Sequence, residues 1–436
     1  MAPVPVDYTY RMRIEHRPGQ LARVMEAIAE AEGLVGEVRT CTLTRSFSVR
    51  ELTVEVEDGA AAEELRDRLD AIDSVAVEDW HDRALALHEG GKLTIEPVRA
   101  VESVQDMRDV YTPGVARACE AIRDDPGAAR RLTMIGRTVA ICTNGTRVLG
   151  LGDIGPLAAM PVMEGKAVFY AQLVGLSAMP ILIDAAEPDE FVETVARIAP
   201  TFGGIHLEDI STPECFEIEE RLIERLDQPV MHDDVHGTGV VALAAAIGAC
   251  RQVGIEIGEA VVGQLGLGAA GFGIATLMVE AGAQRVLAFD PDESSHAHAR
   301  ERGVEIVDDE ETVLRESRIV VATTGRPHSI EPERVREGQV ILALSNPEPE
   351  IDPEAAMSAG AAFASDGSMV NNVLGYPGLF RGALDAHADR IDSRMKLAAA
   401  RALADASGEG ELLPDPLDGT VHERVAEAVR QAAPER

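Results

Sequence analysis

Between residues 260 and 290 the chain runs through an apolar stretch, Ala260–Leu265, and then a glycine-rich loop, Gly266-Leu267-Gly268-Ala269-Ala270-Gly271. An apolar segment follows, Phe272–Ala281, closed by Gly282, and a further stretch, Arg285–Phe289, ends at Asp290. A strand, a G-x-G-x-x-G turn, a helix and another strand in this order demand a parallel sheet with a crossover helix. The glycines permit a tight turn and close backbone approach, so the free amides and dipole of the helix N-terminus can receive a pyrophosphate. Gly266, Leu267, Gly268, Ala269, Ala270 and Gly271 are therefore candidate dinucleotide contacts. Asp290 lies 19 residues beyond Gly271, where an acid can accept hydrogen bonds from both hydroxyls of an adenosine ribose. The following Pro291-Asp292-Glu293 offers no cation for a 2′-phosphate, although Arg285 or Arg300 could swing in. NAD is favoured over NADP.

The whole chain has 436 residues, enough for two or three domains that each bury a core. Residues 1 to about 80 read βαββαβ: strand Tyr8–Ile14, helix Gln20–Ala31, strands Val35–Leu43 and Phe47–Val56, helix Ala60–Ile72, strand Val75–Asp79. Residues 81–93, with Gly90-Gly91, read as a linker. From about 94 onward, glycine-rich loops separate apolar strands from amphipathic helices, the pattern of α/β layers with mainly parallel sheets. The expected division is 1–82, 93–235, 236–410 with the dinucleotide loop, and a C-terminal tail or helix over 411–436. The longest apolar run, Val240–Cys250, stops at Arg251, short of the roughly 18–20 residues of a membrane span. Met1 to Asp7 carries no basic stretch followed by an apolar segment, so a cytoplasmic protein is expected. Five scattered cysteines with no C-x-x-C pair support neither a disulfide framework nor a structural zinc.

Acids outnumber bases by 75 to 40, a net charge of −35, which would repel a nucleic-acid backbone rather than bind it. The acids are spread along the chain, and we expect a protein that works at high salt, where at about 1 M the Debye length falls to roughly 3 Å. Only three of the 40 bases are lysine: Lys92, Lys166 and Lys396.

Two acid pairs stand among glycine and apolar residues, an unusual setting for solvated acids. They are Glu208-Asp209 in Gly203-Gly204-Ile205-His206-Leu207-Glu208-Asp209-Ile210, and Asp233-Asp234 in His232-Asp233-Asp234-Val235-His236-Gly237-Thr238. Hard oxygen ligands of this kind suit Mg²⁺ or Mn²⁺; taken singly each acid is more often a cap or ion-pair partner, and it is the two pairs together that point to a metal. Lys166, in Glu164-Gly165-Lys166-Ala167, is expected at the start of an apolar helix. Unlike arginine it can lose its proton when burial or a nearby metal depresses its pKa, so its retention points to acid–base work. Arg147 is a candidate carboxylate clamp, because its fork can bind two oxygens.

From about residue 93 to 400 these motifs, in this order, resemble the malic enzyme family in its shorter bacterial and archaeal form. They are Tyr111-Thr112-Pro113-Gly114-Val115-Ala116, the stretch from Thr146-Arg147 through Gly150-Leu151-Gly152-Asp153-Ile154-Gly155 to Lys166, the two acid pairs, the dinucleotide loop, Ser345-Asn346-Pro347, and Val370-Asn371-Asn372-Val373 through Arg381-Gly382-Ala383-Leu384. Val235, where a glutamine is usual, and a short run over Ser365–Met369 depart from the pattern. The N-terminal segment resembles an ACT domain, a small ligand-sensing module, through His16-Arg17-Pro18-Gly19-Gln20-Leu21 and its element order.

The resemblance implies oxidative decarboxylation of (S)-malate to pyruvate and CO₂ with reduction of NAD or NADP, dependent on Mg²⁺ or Mn²⁺. By the same resemblance Lys166 is the general base and Tyr111 the general acid. Glu208, Asp209 and Asp234 are metal ligands with Asp233 behind them, and Arg147, Asn346 and Asn372 hold the substrate carboxylates and the nicotinamide end. A homo-oligomer, and a small effector at the N-terminal module, are further expectations. A plain hydroxy-acid dehydrogenase would need the nucleotide loop without the acid pairs. An oxaloacetate decarboxylase would show no net redox, and a silent ACT-based sensor would need none of these residues.

Overall fold

A computed structural model describes residues 5–408 and 410–434, which fall into two units, Met1–Thr94 and Ile95–Arg436. In the first unit, period-two alternation builds a half-buried sheet. Tyr10, Met12 and Ile14 of strand Val6–Glu15, and Leu52, Val54 and Val56 of strand Phe47–Val56, turn one face inward. Helices Gln20–Glu30 and Gly59–Asp70 cover that face with Val24 and Ile28, and with Ala62, Leu65 and Leu69. The antiparallel sheet has the order Leu34–Leu43, Phe47–Val56, Val6–Glu15, Val75–Asp82.

Residues 83–88, expected in a linker, form a helix, Arg83–His88. The Asp82 carboxylate accepts the Leu85 N–H at 2.9 Å and caps it. The Arg83 guanidinium donates to Thr53 Oγ1 at 2.9 Å, tying the helix to the sheet. Composition around Gly90-Gly91 masked this local cap.

The second unit holds two parallel sheets. The first has the order Ser177–Leu182, Thr138–Thr143, Gly204–Leu207, Val230–His232. The second runs Glu305–Ile306, Arg285–Phe289, Val261–Leu265, Ile319–Ala322, Val340–Ala343, Phe363–Asp366. Strands Thr138–Thr143, Ile319–Ala322 and Val340–Ala343 are buried at every residue, as unbroken apolar runs are when helices cover both faces. Helix Thr238–Val253, alanine-rich and buried over most of its length, carries the chain from one sheet to the next.

Helix Gly155–Val174 runs through Pro161, so Lys166 lies mid-helix rather than at its start. Pro161 removes one main-chain donor from the second turn, and the helix continues past it. Helix Gly419–Ala432 buries Val421, Val425 and Val429 and packs on helices Tyr376–Asp385 and Ser393–Ala406. Among the described residues no helix is long and apolar enough to cross a membrane.

Candidate active site

Five parallel strands deliver their carboxyl ends to one cavity of about 410 Å³. Arg147 follows Thr138–Thr143, Glu208 and Asp209 follow Gly204–Leu207, and Asp234 follows Val230–His232. Gly268 to Gly271 follow Val261–Leu265, and Thr323 follows Ile319–Ala322. Strand Val261–Leu265 is flanked by Arg285–Phe289 on one side and Ile319–Ala322 on the other, with the chain reversing direction across the sheet there. Such a switch point leaves a crevice beyond the strand ends.

Glu208, Asp209 and Asp234 each offer a carboxylate oxygen, all within 4.8 Å of one another. Asp209 adopts φ 54°, and its N–H donates to Asp234 Oδ2 at 3.1 Å, which locks the two acid turns together. Asp209 Oδ2 is buried without a hydrogen-bond partner. Burial first, then the neighbouring Glu208 and Asp234 charges, push the Asp209 carboxyl up to about 8. Burial also raises Glu208 to about 8, against the opposing pull of Lys166. Four acids, counting Asp233, face one ammonium, so the cluster lacks positive charge. An all-oxygen donor set with a buried, unpartnered oxygen fits a hard divalent cation.

Lys166 is 8% exposed. Its Nζ lies 2.5 Å from Asp233 Oδ2, 2.9 Å from Glu208 Oε1, and 4.6 Å from the centre of the Tyr376 ring. The expectation that burial would lower its pKa meets an opposing effect. Burial pushes the ammonium down, but Asp233 and Glu208 more than offset this and hold it well above the ordinary lysine value. In this arrangement the side chain is a proton donor that neutralises two carboxylates.

His206 was not picked out by sequence, yet its Nε2 sits 2.7 Å from Glu208 Oε2 and its Nδ1 2.9 Å from the Tyr170 hydroxyl. Burial lowers the imidazole to about 3, so it is neutral. One tautomer satisfies both bonds, with Nε2–H donating to Glu208 and the Tyr170 O–H donating to Nδ1. The available signal was the two-residue spacing of His206 and Glu208, which puts both on one side of an extended strand.

On the dinucleotide side, Gly268, Ala269, Ala270 and Gly271 wall the cavity, and helix Ala269–Glu280 starts there. A Cβ on Gly271 would stand 2.0 Å from the Gly266 carbonyl oxygen, so the loop can close only around glycine. Leu267 and Gly266 lie behind this wall, and the Leu267 N–H donates to Asp290 Oδ2 at 2.6 Å. Asp290 therefore tethers the loop it was expected to complement. Asn372 lines the cavity together with Asn371, Thr238 and Tyr376, which sequence reasoning did not assign. Asn346 is exposed beyond strand Val340–Ala343 and does not line the cavity. Nor does Tyr111, which ends helix Val104–Val110 and is 71% exposed.

A family model described as "Malic enzyme, N-terminal domain" matches residues 90–223. The chain is 48% identical over 417 residues to NAD-dependent malic enzyme 1 of Bacillus subtilis, spanning 95% of each protein. It is 37% identical to the NAD-dependent malic enzyme of Geobacillus stearothermophilus across 98% of this chain and 94% of that one. Among solved structures, the malic enzyme of Pyrococcus horikoshii matches with a TM-score of 0.75 at 38% identity, covering 80% of this chain and 89% of its own. With nearly half its residues shared along almost the full length of a relative, the chain belongs to the malic enzyme family.

Proposed function

We propose that the chain converts (S)-malate to pyruvate and CO₂ while reducing NAD, with NADP the less favoured acceptor, and that it needs Mg²⁺ or Mn²⁺. One observation carries this reading: Lys166 touches Glu208 within a cavity that also holds Asp209, Asp234 and the glycine wall Gly268–Gly271. An amine, a cluster of carboxylates and a glycine-walled helix start thus border the same space, which supports the reading.

When bound, the cation supplies Lewis acidity and takes over the neutralisation of Glu208, and the dinucleotide supplies the hydride acceptor. Glu208, Asp209 and Asp234 hold the first, while Gly266 to Gly271 and Asp290 hold the second. Arg147, Asn346 and Asn372 hold the substrate carboxylates and the nicotinamide end. Lys166 first passes its proton to Asp233 Oδ2, 2.5 Å away, and as the free amine accepts the C2 hydroxyl proton; Tyr111 returns a proton to C3 after CO₂ has left. Arg285 is engaged with Glu305 at 2.8 Å and Glu316 at 3.4 Å, which favours NAD because it leaves that arginine occupied. Relatives named for each cofactor exist, including an NADP-dependent malic enzyme of Halomonas elongata at 36% identity.

Tyr111 ends a helix whose apolar residues Val104, Met107 and Val110 are all exposed. We read this as the surface of a homo-oligomer in which a second copy brings Tyr111 to the cavity. Mixing Tyr111→Phe chains with Lys166→Ala chains would then restore activity, and an inactive mixture would place the acid elsewhere. The N-terminal unit is read as an ACT-like module for a small effector. Kinetics of the chain without residues 1–85, across candidate amino acids and central metabolites, test that role, and an unchanged response leaves it a structural element.

The deciding experiment for the reaction is NADH formation and CO₂ release from malate with Mn²⁺. Oxidation without CO₂, or turnover undiminished by a chelator, would remove the reading. Activity and stability greatest in dilute buffer would remove the expectation of a high-salt protein.

A further inference from the structure

A second cavity, of about 210 Å³, shares no lining residue with the first. Glu219 of helix Glu214–Arg225, His236 and Lys396 of helix Ser393–Ala406 meet in its wall. Lys396 Nζ donates to His236 Nδ1 at 2.9 Å, which leaves His236 Nε2–H to donate to Glu219 Oε2, also at 2.9 Å. Glu219 Oε1 accepts the main-chain N–H of His232 at 2.7 Å. The carboxylate therefore grips the chain on both sides of Asp233, Asp234 and Val235. These residues form a π-type turn, Asp233–Gly237, a wide and uncommon backbone form that recurs at functional sites. The turn is also held at Val235, whose carbonyl oxygen would lie 1.8 Å from a Cβ on Gly273.

We propose that Lys396, His236 and Glu219 are a positioning chain that sets the Asp233–Gly237 turn and, through it, the oxygen geometry of the carboxylate cluster. The proposal rests on reading that cluster as a divalent-cation site. The choice of lysine fits the geometry. In a chain with three lysines among 40 bases, Lys396 places a compact ammonium on one ring nitrogen, where a five-donor guanidinium would need further acceptors. The other charged groups facing this cavity, Glu220, Glu280, Arg302 and Asp392, bond elsewhere in part. Arg302 pairs with Glu220 at 2.7 Å, and Glu280 accepts from Ser393 at 2.6 Å.

The test is the binding of Mn²⁺ alone, followed by the spin-resonance signal of the free ion, in the full chain. Partners that orient metal ligands are commonly worth about 10–100-fold in metal affinity. His236→Leu should therefore weaken Mn²⁺ binding about tenfold or more, by the same comparison. His236→Gln, whose amide can donate to Glu219 and accept from Lys396, should stay near wild type. Leucine and glutamine fill similar space, so a role in packing alone would not separate them. Equal affinity in His236→Leu and wild type, or equal loss in both variants, overturns the positioning chain. Should His236→Leu fail to fold, Lys396→Met carries the same expected loss, and unchanged binding there overturns the proposal. Wild-type protein that takes up no Mn²⁺ would instead bring down the cation-site reading, and this proposal with it.

Discussion

At the carboxyl ends of the four-stranded sheet, Glu208, Asp209 and Asp234 present acidic side chains to the cavity, beside Lys166, which pairs with Asp233. At the ends of the six-stranded sheet, the same cavity is walled by Gly268, Ala269, Ala270 and Gly271, and side chains are nearly absent. The first half gathers several acids in a largely buried cluster, and their joint ionisation is unfavourable without a counter-ion. The second half relies on backbone amides already ordered by a helix, and it strains nothing as long as glycine stays glycine. Function is thus bought with instability on one side only.

The largest test of this contrast is Lys166→Ala. A positioned acid–base group is worth about 10²–10⁴-fold, so turnover should fall by orders of magnitude while malate still binds; near wild-type turnover in a stopped assay would remove the base.

Gly271→Ala should act on the other half. Its Cβ has no room beside Gly266, and overpacking of this kind costs about 1–3 kcal/mol. Calorimetry should show a lower melting temperature and weaker NAD binding, with Mn²⁺ affinity intact. Damage to both ligands would mean that the halves are not separable.

Asp209→Asn should give the opposite sign of stability change. It removes an uncompensated buried acid, so at pH 9 the metal-free protein should melt higher, by on the order of 1 kcal/mol in stability, while Mn²⁺ binding collapses. A lower melting temperature would show that the Asp209 carboxylate is compensated after all.

The smallest expected effect is a slope. Glu208 and Asp209 have folded pKa values raised to about 8 from ordinary carboxylate values of 4.5 and 3.8. The folded state keeps protons that the unfolded chain has already lost. Their stabilising contribution is complete below the ordinary carboxylate range and is lost as pH rises toward about 8. Metal-free melting temperatures should therefore drift down between about pH 5 and pH 8, and Mn²⁺ should raise them more at the alkaline end. A flat or rising profile without metal would argue that the acids titrate normally.

The same contrast explains what could be read in advance. The glycine half is encoded in consecutive residues, because a strand, a turn and a helix N-terminus are local structures, and Gly266 to Gly271 carry all the necessary stereochemistry. The acid half is encoded in pieces. Glu208-Asp209 and Asp233-Asp234 stand out in sequence, but their convergence within 4.8 Å depends on two parallel strands lying side by side. Tyr170, Glu219 and Lys396 gave no comparable signal, since each matters through a partner distant in the chain. The protonation of Lys166 is equally non-local, decided by Asp233 from 67 residues away.

By itself, then, the order of apolar runs, glycines and acid pairs determined the α/β layering, the dinucleotide loop and the residue types at the site, because hydrophobic periodicity and turn stereochemistry act over a few residues. Tertiary structure alone decided which acids meet, which side chain neutralises them, and that Tyr111 and Asn346 stand outside the cavity. Those outcomes depend on Coulomb interaction and burial, which act through space and between strands far apart in sequence.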